Sequence, residues 1–427
     1  MSLIVKAGKM GKRVLKKFLP EEKHHVSYTR RIERVHTKER VVAMTFDDGP
    51  MDLPSSPDKF GGRALTDLLL DTLQEYHALG TFDVVGDTSE NYPDMAGKSG
   101  QADWGGVRYD HYPDINQDGR GGVVHNDRLV RRILHEGHQI TNHGYCHVLF
   151  GKKPFVYGKR DHFHGLDPVV ADLTRLHTLL QETYGYTMTM GRPPHYVDKI
   201  EGGFTSYDAY DQMGYLYLAA AFDGAGWLPI YHNTVQESLQ AEIAAMVEPM
   251  KRALEADPDA LAGQIIFQKD GYNMSRRTPV AFGLKQQLEL LQSYGYRVVT
   301  VEQLMADYSP FADVGREEPG FEKLVALQKT RGIVFSDNRL RLDDPMTWGE
   351  LAMLLAPRAE AIGRRVAKIR ETGTPQHANW GAMDWCAEQG ILKYAMDPDG
   401  TVSSLPSEFF GPAKDYTRRQ VYAAYRG

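Results

Sequence analysis

Two histidines in the sequence have a spacing that permits metal binding. His143 and His147 stand four residues apart in H-G-Y-C-H, directly after a short run typical of a strand. On a helical turn, side chains at positions i and i+4 share one face, so both imidazoles could reach one ion. Such pairs also arise by chance in cores and on surfaces. The pair therefore indicates divalent-metal chemistry only if further ligands lie near it.

Two adjacent carboxylates supply a second chemical feature. Asp47 and Asp48 follow the apolar run 41–46 and precede Gly49-Pro50, which is typical of a turn. Neighbouring side chains at the end of a strand point in different directions, so one carboxylate could bind a metal while the other faces a substrate. A helix N-cap or an Asx-turn is the alternative interpretation, and it explains one aspartate better than two.

The elements that would position these residues alternate between strand-like and helical patterns from about residue 38 to 305. This alternation predicts parallel β/α units in an open sheet or a barrel. In such folds, functional residues gather at the carboxyl ends of the strands. The predicted strands are 41–46, 81–85, 139–141, 264–267 and 296–301, and the predicted helices are 64–76, 129–134, 238–254 and 284–291.

Four motifs, in this order, resemble the NodB-type polysaccharide deacetylases, carbohydrate esterase family 4. They are TFDDGP at 45–50, GHQITNHGYCH at 137–147, Arg192-Pro193-Pro194, and the segment 223–227. The run YRVVTVEQLM at 296–305 resembles the last strand of that domain. The resemblance implies an α/β fold, a distorted (β/α) barrel of about seven strands over residues 38–310. It also implies a metal-dependent hydrolase that removes N-acetyl groups from a carbohydrate.

The resemblance also implies roles for individual residues. Asp47 matches the catalytic base, and Arg192 matches the arginine that orients it. The metal ligands would be Asp48, His143 and His147. The implied cofactor is one divalent ion, zinc first, with cobalt, nickel or manganese as alternatives.

The substrate side of the site follows from the same resemblance. Trp227 matches the aromatic wall of the fourth motif, and Pro194 and His195 match neighbouring substrate positions. His195 stands where an aromatic residue usually follows Arg-Pro-Pro, and Gly226 replaces the family's aspartate before the tryptophan. Asp223 stands four residues before Trp227 and is kept as a catalytic candidate.

The fifth motif departs from the family at the group that protonates the leaving amine. The family has a histidine there, whereas this strand reads IIFQKD at 265–270, with Lys269 at or beside that position. Three hypotheses follow. Lys269 or His195 replaces the acid in an amidohydrolase; Lys269 holds an anionic substrate of another amide or ester; or the metal remains in a non-catalytic protein that binds glycans or docks to the cell wall.

The segments around the predicted barrel carry weaker patterns. Residues 1–37 are basic and predict a leader helix that could rest on a membrane surface. They lack a secretory signal pattern, so a cytoplasmic location is expected, with the cell envelope as the alternative. An insertion is predicted at 86–125. It contains half of a calcium-loop pattern at 114–119, for which a polar turn is favoured because His125 replaces the required glutamate.

A second histidine group, Asp161, His162 and His164, forms D-H-x-H in a predicted loop. A second metal site is one interpretation of it, and a solvated or substrate-side loop is the favoured one.

The C-terminal residues 320–427 follow a Pro/Gly-rich linker and predict a small, mostly helical domain. The units 347–350 and 417–420, T-x-x-E and T-x-x-Q, are typical capping boxes. Together they weakly resemble S-layer-homology repeats, which dock onto cell-wall polymers. A helical domain that packs on the barrel is the alternative.

Composition excludes several classes of protein. The 50 basic and 56 acidic residues give a formal charge of −6, which argues against a general nucleic-acid binder. No apolar run approaches the ~20 residues of a membrane span. The expected partner is therefore an acetylated carbohydrate rather than nucleic acid or a bilayer interior.

Overall fold

The computed structural model describes residues 26–52, 63–87, 103–104, 107–108, 121–152, 162–270, 277–331, 334–335, 337–391 and 412–425. The strands are, in chain order, β1 Val26–Ser27, β2 Arg31–Ile32, β3 Val41–Asp47, β4 Gly80–Val84, β5 Asp103–Trp104, β6 Val107–Arg108, β7 Gln139–Asn142, β8 Met190–Gly191, β9 Lys199–Ile200, β10 Phe204–Thr205, β11 Leu216–Leu218, β12 Phe222–Asp223, β13 Ile265–Lys269, β14 Arg297–Val299, β15 Val334–Phe335, β16 Pro345–Thr347 and β17 Pro412–Thr417.

The α-helices cover the sheet and build most of the C-terminal region. They are α1 Leu65–Glu75, α2 Asp127–His135, α3 Leu166–Tyr184, α4 Ser206–Met213, α5 Val235–Ala256, α6 Val280–Ser293, α7 Val301–Asp307, α8 Phe321–Arg331, α9 Trp348–Leu355, α10 Arg358–Thr372, α11 Trp380–Glu388 and α12 Arg418–Ala424.

The central sheet is parallel throughout and has nine strands within the described residues. Its order is β12-β13-β3-β4-β7-β8-β11-β2, and β14 also pairs with β3. β11 and β12 lie toward opposite ends of this order, although only residues 219–221 separate them along the chain. The sheet therefore curls round on itself. This confirms the predicted α/β architecture of a distorted (β/α) barrel, with two strands more than expected.

Local packing explains why the central strands form. Every residue of β3 and β4 is buried, which is typical of parallel strands covered on both faces. The rings of Phe46 and Phe82 stack across these strands with centroids 5.0 Å apart. Because β3, β4 and β7 are parallel and their ends are aligned in register, the polar residues at these ends lie at one edge of the sheet.

The predicted leader helix is wrong for its last residues. Within 26–37, the chain forms β1 and β2, and β2 pairs with β11 at the edge of the barrel sheet. The physical reason is burial: Ile32 and Val35 are nearly inaccessible to solvent and belong to an apolar cluster with β3 and β11. Residues 1–25 and the calcium-like segment 114–119 lie outside the described residues.

The C-terminal region is mostly helical, as predicted. Thr347 with Glu350, and Thr417 with Gln420, form the two predicted capping boxes. The strands that precede them pair with each other, since β16 is antiparallel to β17. The region also contacts the barrel: the guanidinium of Arg365 binds the carboxylate of Asp208 on α4. No helix in the described part of the chain combines the length and the apolarity that membrane crossing requires.

A buried histidine next to the site strands predicts a pH dependence of stability. The Gly80 amide, at the start of β4, donates a hydrogen bond to Nδ1 of His138 at 2.9 Å. Burial lowers the pKa of His138 to about 4, and Glu136 opposes this only in part. Between pH 6.5 and 4 the unfolded chain takes up this proton and the folded chain does not, so stability falls as pH is lowered.

The expected contribution of His138 to this loss is about 2 kcal/mol in the free energy of unfolding, measured by urea denaturation at pH 7 and pH 4.5 and compared with a variant that lacks the ring. His138→Asn keeps an acceptor oxygen but no titrating ring, so its loss over the same range should be smaller by that amount. An equal loss in both proteins would contradict the assignment.

Candidate metal and catalytic site

The candidate site lies where neighbouring parallel strands end. Asp47 ends β3, His143 follows β7, Arg192 follows β8, and Lys269 ends β13. In the register of β13 with β3, Lys269 is the direct partner of Asp47. Sheet topology therefore gathers residues that are up to about two hundred positions apart in sequence, as expected for the carboxyl ends of a parallel sheet.

Asp48, His143 and His147 form a buried group that could hold a metal ion. Oδ1 of Asp48 lies 3.3 Å from Nε2 of His143 and 3.1 Å from Nε2 of His147. Ligand atoms about 2.1 Å from a tetrahedral ion are about 3.4 Å apart, so these separations fit a zinc-type site. The donor set of two imidazoles and one carboxylate fits such an ion equally well.

The loop that carries the two histidines is not the helical turn that was predicted. Residues 143–147 are irregular, with left-handed backbone at Gly144 (φ 87°) and His147 (φ 53°). The carboxylate of Asp172, on α3, accepts hydrogen bonds from the amides of Tyr145 at 2.7 Å and Cys146 at 3.1 Å. These bonds hold a tight turn, so the imidazoles converge without a helix, their ring centroids 4.9 Å apart.

Asp172 was missed by the sequence analysis, although a signal was present. It is a buried carboxylate on the apolar face of α3, between Val169 and Leu173. A charged residue on such a face is unusual unless it has hydrogen-bond partners.

A second residue that the sequence analysis missed, Asp83, lies beside the candidate metal ligand His143. It is fully buried at the end of β4, where it interrupts an apolar strand. Its Oδ2 lies 3.0 Å from Nδ1 of His143, and its Oδ1 accepts a hydrogen bond from the Thr141 hydroxyl at 2.6 Å. The carbonyl of Arg192 also lies 2.8 Å from this Nδ1. Nδ1 is therefore the N–H donor, which leaves Nε2 for a metal.

The neighbours of His143 also shift its pKa. Burial lowers the pKa of His143, but the carboxylates of Asp83 and Asp47 outweigh burial and raise it well above its usual value.

Asp83→Asn is expected to weaken metal binding by about 10- to 100-fold, because an amide is a poorer acceptor and partner for His143. Isothermal titration with zinc measures this. Asp71→Asn, which alters an exposed carboxylate on α1, is the control. An unchanged affinity would show that Asp83 does not tune the ligand.

The candidate base, Asp47, is held by Arg192. The Arg192 guanidinium is fully buried and donates to Oδ1 of Asp47 and, at 3.0 Å, to the hydroxyl of Thr45. It also donates to the carbonyl of Leu218 at 3.2 Å. Burial raises the pKa of Asp47 to about 7, although Arg192 and His143 oppose the rise. The other oxygen, Oδ2, points toward His143 at 3.8 Å, so the carboxylate faces the metal group.

Lys269 is brought into the site, and its ammonium contacts the metal group directly. Nζ lies 2.8 Å from Oδ2 of Asp48, the oxygen that does not face the two histidines, and both side chains are buried. The sequence placed Lys269 beside the missing family histidine, but it could not identify Asp48 as its partner.

The remaining predicted site residues lie in two places, one beside His147 and one at the protein surface. The ring of His195 packs edge-on against that of His147, with centroids 5.2 Å apart, and Pro194 beside it is buried. Asp223 and Trp227 lie farther out as an exposed pair, in which the indole N–H donates to the Asp223 carboxylate at 3.1 Å. The structure thus brings His195 to the metal group, whereas Asp223 serves as a partner of Trp227.

Part of the chain is similar to known polysaccharide deacetylases. The family model described as polysaccharide deacetylase matches residues 34–197. The peptidoglycan-N-acetylmuramic acid deacetylase PdaC of Bacillus subtilis is 23% identical over 173 residues, which are 40% of this chain and 25% of that protein. The peptidoglycan-N-acetylglucosamine deacetylase PgdA of Listeria monocytogenes is 22% identical over 303 residues, 71% of this chain and 46% of that protein.

Among solved structures, the chitin deacetylase from Colletotrichum lindemuthianum is similar to this protein over 65% of this chain and 92% of the deacetylase chain. The sequence identity is 20% and the TM-score is 0.42. The chain spans less than half the length of the curated relatives it matches. Residues 34–197 are therefore similar to a polysaccharide deacetylase domain, the family that the sequence motifs resemble.

Proposed function

We propose that this protein is a metal-dependent hydrolase that removes N-acetyl or related acyl groups from a carbohydrate. The observation that carries the proposal is the placement of Asp47. Its carboxylate is fixed by Arg192 on one side and faces the Asp48, His143 and His147 group on the other. A base next to three metal ligands is an arrangement that can catalyse hydrolysis of an unactivated amide.

The proposed chemistry divides the reaction among the residues of the site. Asp48, His143 and His147 would hold a divalent metal, which would supply Lewis-acid polarisation of the acyl carbonyl and lower the pKa of water. Asp47 removes a proton from the attacking water as the new C–O bond forms. The C–N bond then breaks, and the leaving nitrogen must receive a proton.

We assign this proton to the Lys269 ammonium, with His195 as the alternative donor. Lys269 is a buried cation at the edge of the metal group. Its contact with Asp48 holds its amine beside the reacting atoms, where a histidine acts in the family. Trp227, exposed at the rim, would provide a flat surface for a sugar ring.

Lys269→Ala is expected to lower kcat by about 10²-fold, in the range for a lost general acid. Lys269→Arg is the matched control, because it keeps a positive charge beside Asp48 but is a far weaker proton donor. Initial rates on one substrate measure both. Full activity in the arginine variant would reduce Lys269 to a charge that positions Asp48, and full activity in the alanine variant would remove it from the mechanism.

The substrate class follows from the relatives' names and is part of the proposal. We infer an acetylated glycan, with peptidoglycan first and chitin oligomers second. Because peptidoglycan lies outside the cytoplasm, this substrate favours the cell envelope over the cytoplasmic location that the sequence suggested. Wall contact through the C-terminal residues 320–427 would accord with that location.

The test is release of acetate by zinc- or cobalt-loaded protein from peptidoglycan, chitin oligomers and acetylxylan, compared with chelated protein. Metal-dependent release from an N-acetylated glycan supports the proposal. Release only from acetylxylan would indicate an esterase. Metal binding and glycan binding without release from any of them would instead favour the non-catalytic alternative.

A further inference from the structure

A second group of side chains that could hold a metal ion consists of residues other than those assigned above. His162, His164 and Glu201 place ligand atoms within 4.8 Å of one another. The sequence indicated the two histidines, whereas Glu201, 37 residues after His164, is added by the fold. Asp161, the third member of the sequence pattern, lies outside the described residues. We call His162, His164 and Glu201 the rim cluster.

The rim cluster converges on a single carboxylate. Nε2 of His162 lies 2.8 Å from Oε1 of Glu201, and Nδ1 of His164 lies 3.0 Å from Oε2. The two imidazole rings are 4.8 Å apart between centroids. Ligand atoms around a tetrahedral zinc ion are about 3.4 Å apart, so the two imidazoles and the carboxylate could surround one ion after small side-chain rotations.

The backbone holds two of the three residues in place. Phe163, between the histidines, donates its amide to the Leu149 carbonyl at 2.9 Å, and His162 forms a bridge with Leu149. Glu201 stands at the turn of the β9–β10 hairpin, in which Ile200 pairs with Phe204. A site built on fixed segments loses less conformational entropy when it binds an ion than a site on free chain ends.

The hydrogen bonds from His162 and His164 to Glu201 contribute little stability by themselves, so they explain the convergence of the three side chains only weakly. The side chains of His164 and Glu201 are 68% and 46% exposed, and contacts at such exposure add little to stability. Two imidazoles and a carboxylate are a donor set that suits a zinc-type ion.

We propose that the rim cluster is a second site for a zinc-type divalent ion, separate from the Asp48, His143 and His147 group. Leu149, whose carbonyl accepts the hydrogen bond from the Phe163 amide, lies two residues after His147. An ion at the rim therefore links the segment 162–164 and the β9–β10 hairpin to the loop that carries a primary ligand. We assign it a structural role, since its three ligands come from two surface segments.

The test is the zinc content and affinity of the full-length protein. Protein is stripped with chelator, loaded with zinc, dialysed and assayed for bound metal, and the titration is repeated by calorimetry. We expect wild-type protein to bind a second equivalent. His164→Ala and Glu201→Gln should lose only that equivalent, by more than about 100-fold in affinity, since even outer partners of a metal site change affinity by 10- to 100-fold.

Two controls make the outcome specific. His232→Ala removes an exposed histidine elsewhere and should leave both equivalents bound. Asp48→Asn should lose the primary equivalent and keep the rim equivalent, so failure of the proposed catalysis would not affect this result. Cobalt loading of Asp48→Asn should still give the visible absorption of a coordinated ion.

An equal number of bound zinc equivalents in the wild type, His164→Ala and Glu201→Gln would overturn the inference. Because His164 and Glu201 are exposed, their substitutions are not expected to unfold the chain. A melting temperature measured without metal verifies this for each variant.

Discussion

Asp47→Asn is expected to lower kcat by about 10²- to 10⁴-fold while the protein keeps its metal. The loss is expected because an amide cannot accept the proton that Asp47 would remove from water. The metal is expected to remain because Oδ1 of Asp48, not Asp47, faces both His143 and His147. Acetate release under saturating substrate and zinc content of the same sample measure the two effects.

The matched control is Asp52→Asn, which changes an exposed carboxylate five residues away. Its rate should equal that of the unaltered protein. An Asp47→Asn protein that holds zinc and turns over at full rate would rule out Asp47 as the base. Loss of zinc together with activity would instead place Asp47 among the ligands.

Arg192→Met is expected to lower the free energy of unfolding by about 3–5 kcal/mol, the cost of a buried ion pair that loses one partner. The guanidinium is fully buried and binds Asp47, Thr45 and the Leu218 carbonyl. Its removal leaves the Asp47 carboxylate without its cation, together with two acceptors that have lost a donor. Urea denaturation of metal-free protein at pH 7 measures the change.

The double variant Asp47→Asn/Arg192→Met separates charge from packing. Neither charge of the pair remains in it, so part of the lost stability should return. If the double variant is as unstable as Arg192→Met, the loss comes from the packing of Arg192 against Tyr196 and Phe267 rather than from the ion pair. A loss below about 1 kcal/mol in the single variant would contradict the buried-pair argument.

Some features of this protein follow from short stretches of its sequence. The apolar run before Asp47 forms β3, and the T-x-x-E and T-x-x-Q units form capping boxes at α9 and α12. These features depend on residues that are close together in the chain, where patterns of period and capping act directly. The motif order likewise indicated the similarity to polysaccharide deacetylases, whose family model matches residues 34–197.

Other features required the tertiary structure. No local pattern pairs Lys269 with Asp48 or Glu201 with His164, because sheet register and hairpin position decide these contacts. The turn at 143–147 is irregular rather than helical because a carboxylate 25 or more residues away, Asp172, binds its amides. The sequence by itself therefore determined which residue types stand at the strand ends. Only the tertiary structure decided which of them meet, since burial and long-range hydrogen bonds outweigh local preference there.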